Sequence, residues 1–131
     1  MSASLDTSGG GAAGSVYGKL LLKNTGTAAC TIQGFARVEL TAGDSGPAIG
    51  AAAEKEGGAG VPATLRPGQS AAAVLRYSQA GLHPDCQHVP ATRYRVYAPG
   101  TNTPMFIPVT EDGCSNAAVK LLTIQAFAPA A

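Results

Sequence analysis

The chain has 131 residues and a mass of 13.0 kDa, enough for one buried core and too short for two, so residues 1–131 are read as a single domain. Its hydrophobic share of 45% is inflated by 25 alanines, and Val, Ile, Leu and Phe together supply only 25 of 131 residues, so the core is thin. Nine Lys+Arg against eight Asp+Glu leave a net charge of +1, which argues against disorder and lacks the basic footprint of a nucleic-acid or anionic-membrane partner.

Helical periodicity is poor throughout, because 17 Gly and 9 Pro are spread along the chain. Strand periodicity is better. Val16, Gly18, Leu20 and Leu22 alternate with Tyr17, Lys19, Leu21 and Lys23 before the turn Asn24-Thr25-Gly26, the pattern of a half-buried strand. Val38 and Leu40 alternate with Arg37, Glu39 and Thr41, and Gly43-Asp44-Ser45-Gly46-Pro47 then breaks the chain. The Ala-, Gly- and Glu-rich stretch 48–60 offers a short helical turn at 51–56 but is read as a loop. In Leu65-Arg66-Pro67-Gly68-Gln69, Pro and Gly stand where a type II turn needs a fixed φ and then a positive one. A strand follows with Ala71, Ala73, Leu75 and Tyr77 on one face. Residues 93–97 form another and end at Ala98-Pro99-Gly100; 105–109 and 121–127 complete the set. About seven to nine short, turn-bounded strands predict an all-β fold, an Ig-like antiparallel β-sandwich. No internal repeat is apparent.

No stretch reaches the roughly 20 apolar residues of a membrane span, and Met1-Ser2-Ala3-Ser4-Leu5-Asp6 has neither a basic nor an apolar signal-peptide region. The chain as given is therefore expected to be soluble. Cys86 and Cys114 flank a Pro-, Thr- and Tyr-rich segment without a C-x-x-C pairing, which fits a disulfide in an oxidising compartment better than a thiolate site. Closing that loop stabilises the fold by about 3.5 kcal/mol in the chain-entropy account. Cys30 is left over: a buried free thiol, an intermolecular bond, or a cysteine whose partner lies in a removed segment. The competing expectation is three reduced cysteines in a cytosolic protein.

The ordered segments Gly11-Ala12-Ala13-Gly14-Ser15, Leu20-Leu21-Leu22-Lys23-Asn24-Thr25-Gly26, Cys30-Thr31-Ile32-Gln33-Gly34-Phe35 and Leu65-Arg66-Pro67-Gly68-Gln69-Ser70-Ala71, followed by Cys86 and Cys114, resemble the actinobacterial secreted family known as domain of unknown function 4232. The resemblance runs over nearly the whole chain. It implies an exported or lipid-anchored β-sandwich on the cell envelope with no assigned catalytic residues. Members usually carry a further cysteine upstream of the first strand, the natural partner of the position matching Cys30. Its absence here implies a chain whose targeting segment has been removed, with Cys30 unpaired, and puts the first strand, expected at residues 4–8, in question.

Four constellations carry chemistry by letter. Gly43-Asp44-Ser45-Gly46-Pro47 resembles a serine-protease nucleophile signature, but the His and Asp of those enzymes come earlier in the chain, whereas His83 and His88 come later; a polar turn is the reading. Gly9-Gly10-Gly11-Ala12-Ala13-Gly14 satisfies G-x-G-x-x-G, yet a strand and not a helix follows, so it is read as a glycine-rich turn. His83, Asp85, Cys86 and His88 offer zinc- or copper-type ligands. In an extended chain 83 and 85 face one way and 86 and 88 the other, and a disulfide at Cys86 removes the thiolate. Arg93, Arg95 and Tyr97 share one strand face and Tyr94 and Val96 the other, which is read as a solvated face rather than a nucleic-acid platform.

These readings commit to a noncatalytic binding or structural module of the cell envelope, with no cofactor or metal, no nucleic-acid partner, and an envelope or extracellular protein, glycan or lipid as partner. A secreted protease inhibitor presenting residues 81–92 as a disulfide-braced loop is the alternative. A small metal-dependent protein using His83, Asp85 and His88 ranks below it.

Overall fold

A computed structural model describes residues 1–6, 11–12, 15–43, 46–78, 83–116 and 120–129. Twelve strands and no helix occur among them: β1 (Ser2–Asp6), β2 (Gly11–Ala12), β3 (Ser15–Lys23), β4 (Cys30–Ile32), β5 (Arg37–Thr41), β6 (Glu54–Glu56), β7 (Ala63–Leu65), β8 (Ser70–Ser78), β9 (His88–Tyr97), β10 (Met105–Cys114), β11 (Leu122–Gln125) and β12 (Ala128–Pro129). One sheet runs β1-β3-β8-β11-β6, with β2 attached to β3 and β12 to β8; a second runs β10-β9-β5; β4 and β7 form a small third pair.

The alternating stretches read from the sequence form the two principal sheets. β3 and β8 pair antiparallel over nine residues, from Ser15↔Ser78 to Lys23↔Ser70. Leu20, Leu22, Ala71, Ala73, Leu75 and Tyr77 are buried on their inner face. Val38 and Leu40 of β5, Tyr94 and Val96 of β9 and Ile107 of β10 face them across one continuous core. Alanines on β8 give that sheet a low profile, so large side chains opposite can fill the space. The result is an all-β sandwich.

Two turns act as the sequence predicts. Gly68 has φ +89° and Gln69 N–H donates to the Arg66 carbonyl at 2.9 Å, a turn that only a residue free of Cβ enters without strain. Asn24 is 5% exposed; its Nδ2 donates to the carbonyls of Ala28 and Leu65, both at 2.9 Å, while its Oδ1 accepts from Gly26 N–H.

Several elements differ from expectation. There are twelve strand segments rather than seven to nine, because pairs as short as β2, β4, β6, β7 and β12 carry too few residues to show alternation. The stretch 48–60 contains β6, which pairs parallel to β11 and so departs from a purely antiparallel sandwich; all three of its residues are exposed, leaving no hydrophobic signature. The expected strand 121–127 is divided: Phe127 turns inward at 1% exposure and donates its N–H to the Gly34 carbonyl. β9 and β10 extend beyond 93–97 and 105–109, the latter through a register shift between Pro108 and Glu111. β1 is fully paired to β3 over Ser2–Asp6, while residues 7–8 lie outside the described residues. Among the described residues, no helix is long and apolar enough to cross a membrane.

Candidate functional site

β5 begins at Arg37 and β9 ends at Tyr97, and the two are register partners. Opposed residues of an antiparallel pair share a face, so both side chains stand at one end of the outer surface of the three-stranded sheet. The Arg37 guanidinium lies 5.6 Å from the Tyr97 ring centroid, within cation–π range.

One rung inward, Glu39 opposes Arg95. Glu39 Oε1 accepts from Arg95 Nε at 2.9 Å and lies 2.9 Å from Arg95 Nη2, and its Oε2 accepts from Arg37 Nη2 at 2.8 Å. Arg95 Nη1 donates to the Gly46 carbonyl at 2.7 Å. A buried carboxylate persists because it is paired and hydrogen-bonded on both oxygens. The expectation of a solvated face therefore fails at Arg95, whose side chain is 15% exposed: it reaches sideways to Glu39 and is covered rather than extending into water.

The chain leaving β9 turns at once. Thr101 donates from both its N–H and its Oγ1 to the Ala98 carbonyl, each at 3.0 Å, and Gly100 has φ +76°, so Pro99-Gly100 forms the centre of a type II turn. Residues 98–102, with Phe35, Arg37 and Tyr97, line a groove of about 280 Å³, just below the range of small-molecule sites. The Lys55 ammonium lies 5.7 Å from the Phe35 ring centroid. Sequence reading found Tyr97 and Arg95 on one face but missed Arg37 and Phe35. Only the β5–β9 pairing brings Arg37 to Tyr97.

A second polar cluster lies inside the sandwich. Tyr94 Oη donates to Glu111 Oε2 at 2.5 Å, and Tyr77 Oη donates to the Asp112 carbonyl at 2.7 Å. Burial, then the adjacent Glu111 charge and hydrogen bond, push the Tyr94 phenol far above its ordinary range. Burial also raises Glu111, partly opposed by the hydrogen bond it accepts from Tyr94.

The candidate ligands near the disulfide are dispersed. Cys86 is bonded to Cys114. His83 Nε2 lies 2.9 Å from Ser78 Oγ, Asp85 contributes its carbonyl to Asn116 Nδ2 at 2.7 Å, and His88 is exposed at the start of β9. Among the described residues, no three His, Cys, Asp or Glu side chains gather to hold a metal. The Ser78–His83 spacing is that of a nucleophile and base, but Asp85 does not orient the ring, the third element such a pair needs. Cys30 is a free, half-buried thiol on β4. Asp44 and Ser45 of the protease-like motif, and residues 9, 10, 13 and 14 of the glycine run, lie outside the described residues; Gly11 and Ala12 form β2 against β3.

Comparison with curated proteins and with solved structures finds no match. Residues 1–128 match the family described as Domain of unknown function (DUF4232), and the chain belongs to that family.

Proposed function

We propose that the chain is a noncatalytic binding module of an exported bacterial protein, displayed on the cell envelope, and that it binds through the groove beside Tyr97. The observation that supports this is the convergence there of a half-buried aromatic ring bearing a guanidinium and a hydrogen-bonded turn at the end of β9. Sandwich modules present binding residues in this way, on loops held by a scaffold. The Cys86–Cys114 bond fits an oxidising compartment. Its partner is an envelope protein, glycan or lipid. The test is retention of the intact domain on envelope extracts: the wild type is retained and Tyr97→Ala loses most of that retention. Equal retention of both refutes the groove, and absence of any partner for the wild type refutes the binding reading.

A protease-inhibitor reading draws on the bracing around residues 83–87. Gln87 N–H donates to Asn116 Oδ1 at 3.1 Å and Ser115 N–H to the Gln87 carbonyl at 3.0 Å, and such preorganisation lowers the ordering cost of binding. The loop is shorter than the 81–92 span, because β9 starts at His88; residues 81–82 lie outside the described residues. Absence of inhibition of serine, cysteine and metalloproteases at micromolar concentration removes this reading.

A further inference from the structure

We propose that the groove beside Tyr97 binds a carboxylate and that Arg37 receives it, a deepening that rests on the groove reading above. The reason is a count of charges. Glu39, with its side chain 4% exposed, is clasped by two guanidiniums, Arg95 on Oε1 and Arg37 on Oε2. Two positive charges on one negative leave one over. Arg95 cannot present it, since that side chain is 15% exposed and commits its Nη1 to the Gly46 carbonyl. Arg37 can: its side chain is 66% exposed, and among the described residues its one hydrogen bond is from Nη2 to Glu39.

The surplus charge therefore stands at the groove on a guanidinium already oriented from two sides. Glu39 holds it from behind and the Tyr97 ring from below, at 5.6 Å. A planar fork with outward N–H groups matches a carboxylate with two parallel hydrogen bonds, which an ammonium cannot do. No acidic residue lines the groove, so nothing on its walls repels an anion. The Thr101 hydroxyl and Asn102 amide on the rim offer polar contacts to the rest of a small ligand.

The experiment is a titration of ¹⁵N-labelled protein followed by amide chemical shifts, with N-acetylalanine against N-acetylalaninamide and D-glucuronate against D-glucose. At least one acid shifts the amides of Gly100, Thr101 and Asn102 saturably, and its uncharged counterpart does not. Arg37→Gln weakens that binding roughly tenfold or more, the loss expected for charge-assisted hydrogen bonds. Arg37→Lys, which keeps the charge but not the fork, falls between. A response to N-acetylalanine alone identifies a peptide carboxylate; a response to glucuronate alone identifies an acidic sugar. Equal binding of acid and uncharged counterpart overturns the carboxylate assignment while leaving the groove as the binding site. Silence of both acids, or wild-type affinity in Arg37→Gln with a wild-type amide spectrum elsewhere, also overturns it; envelope retention decides the broader reading separately.

Discussion

Tyr94 shows how much one inward side chain can commit. Alternation along residues 93–97 places it opposite Arg93 and Arg95, and it is 1% exposed, but its partner Glu111 was not found because it lies beyond the strand read at 105–109, in the part of β10 that follows the register shift. Replacing Tyr94 by Phe leaves the Glu111 carboxylate without its donor in a partly buried setting. Unsatisfied groups of this kind cost about 1–3 kcal/mol, and urea unfolding at neutral pH is expected to show a loss of that size in Tyr94→Phe. The same pair sets a pH dependence. Both groups are raised in the fold, so both favour the protonated state, and the stability they contribute is complete below their unfolded values and declines as pH rises. For Glu111 the decline begins above the ordinary value of 4.5. For Tyr94 it begins above 10.0, where the unfolded phenol ionises and the folded one does not, with a slope of up to about 1.4 kcal/mol per pH unit. Unfolding free energies measured across that alkaline range should fall more steeply for the wild type than for Tyr94→Phe; equal slopes would contradict the assignment.

At the scale of elements, the described residues between β5 and β6 form the loop that was expected, but where that loop lies was not legible because its interactions are main-chain and long-range. Ile49 N–H donates to the Leu40 carbonyl and Ala53 N–H to that of Val38, so an alanine- and glycine-rich stretch without alternation follows the edge of β5. Gly50 is where it approaches the end of β10: a Cβ there would overlap the carbonyl oxygen of Cys114. Gly57 shares the positive φ, +80° against +72°, but has nothing within 4 Å of an added Cβ. Alanine at Gly57 should cost only the backbone strain, about 1–2 kcal/mol. Alanine at Gly50 adds a steric term of about 1–3 kcal/mol. Thermal unfolding of the two variants compares them directly, and equal midpoints would mean that 50 and Cys114 are not in contact. β6 and the break at Phe127 were hidden for related reasons: one is exposed on every residue, and the other is a local inward turn inside an otherwise apolar run.

For the whole molecule, the cysteines join covalent structure to compartment. Cys86 and Cys114, 28 residues apart, tie the segment before β9 to the end of β10, while Cys30 stays free. Alkylation in denaturant without reduction is expected to modify one cysteine, Cys30, and three after reduction. Three thiols at the first step would remove the disulfide and with it the argument for export. The Cys86→Ser/Cys114→Ser double variant should lose about 3.5 kcal/mol of stability, a large share of what a domain of this size holds.

Fold class, the faces of β3, β8 and β9, and two of the turns were legible in the residues themselves. Hydrophobic alternation and Pro-Gly or Asn-x-Gly chemistry act over a few residues, so one local window carries them. The disulfide was legible too, from cysteine spacing. The groove was not. Arg37 and Tyr97, and Glu39 and Arg95, become neighbours only through the register of β5 on β9, and no local pattern encodes which strands pair or where. Strand pairing across such separations is decided by burial of the common core, and the charge left on Arg37 exists only once that core has brought two arginines to one carboxylate.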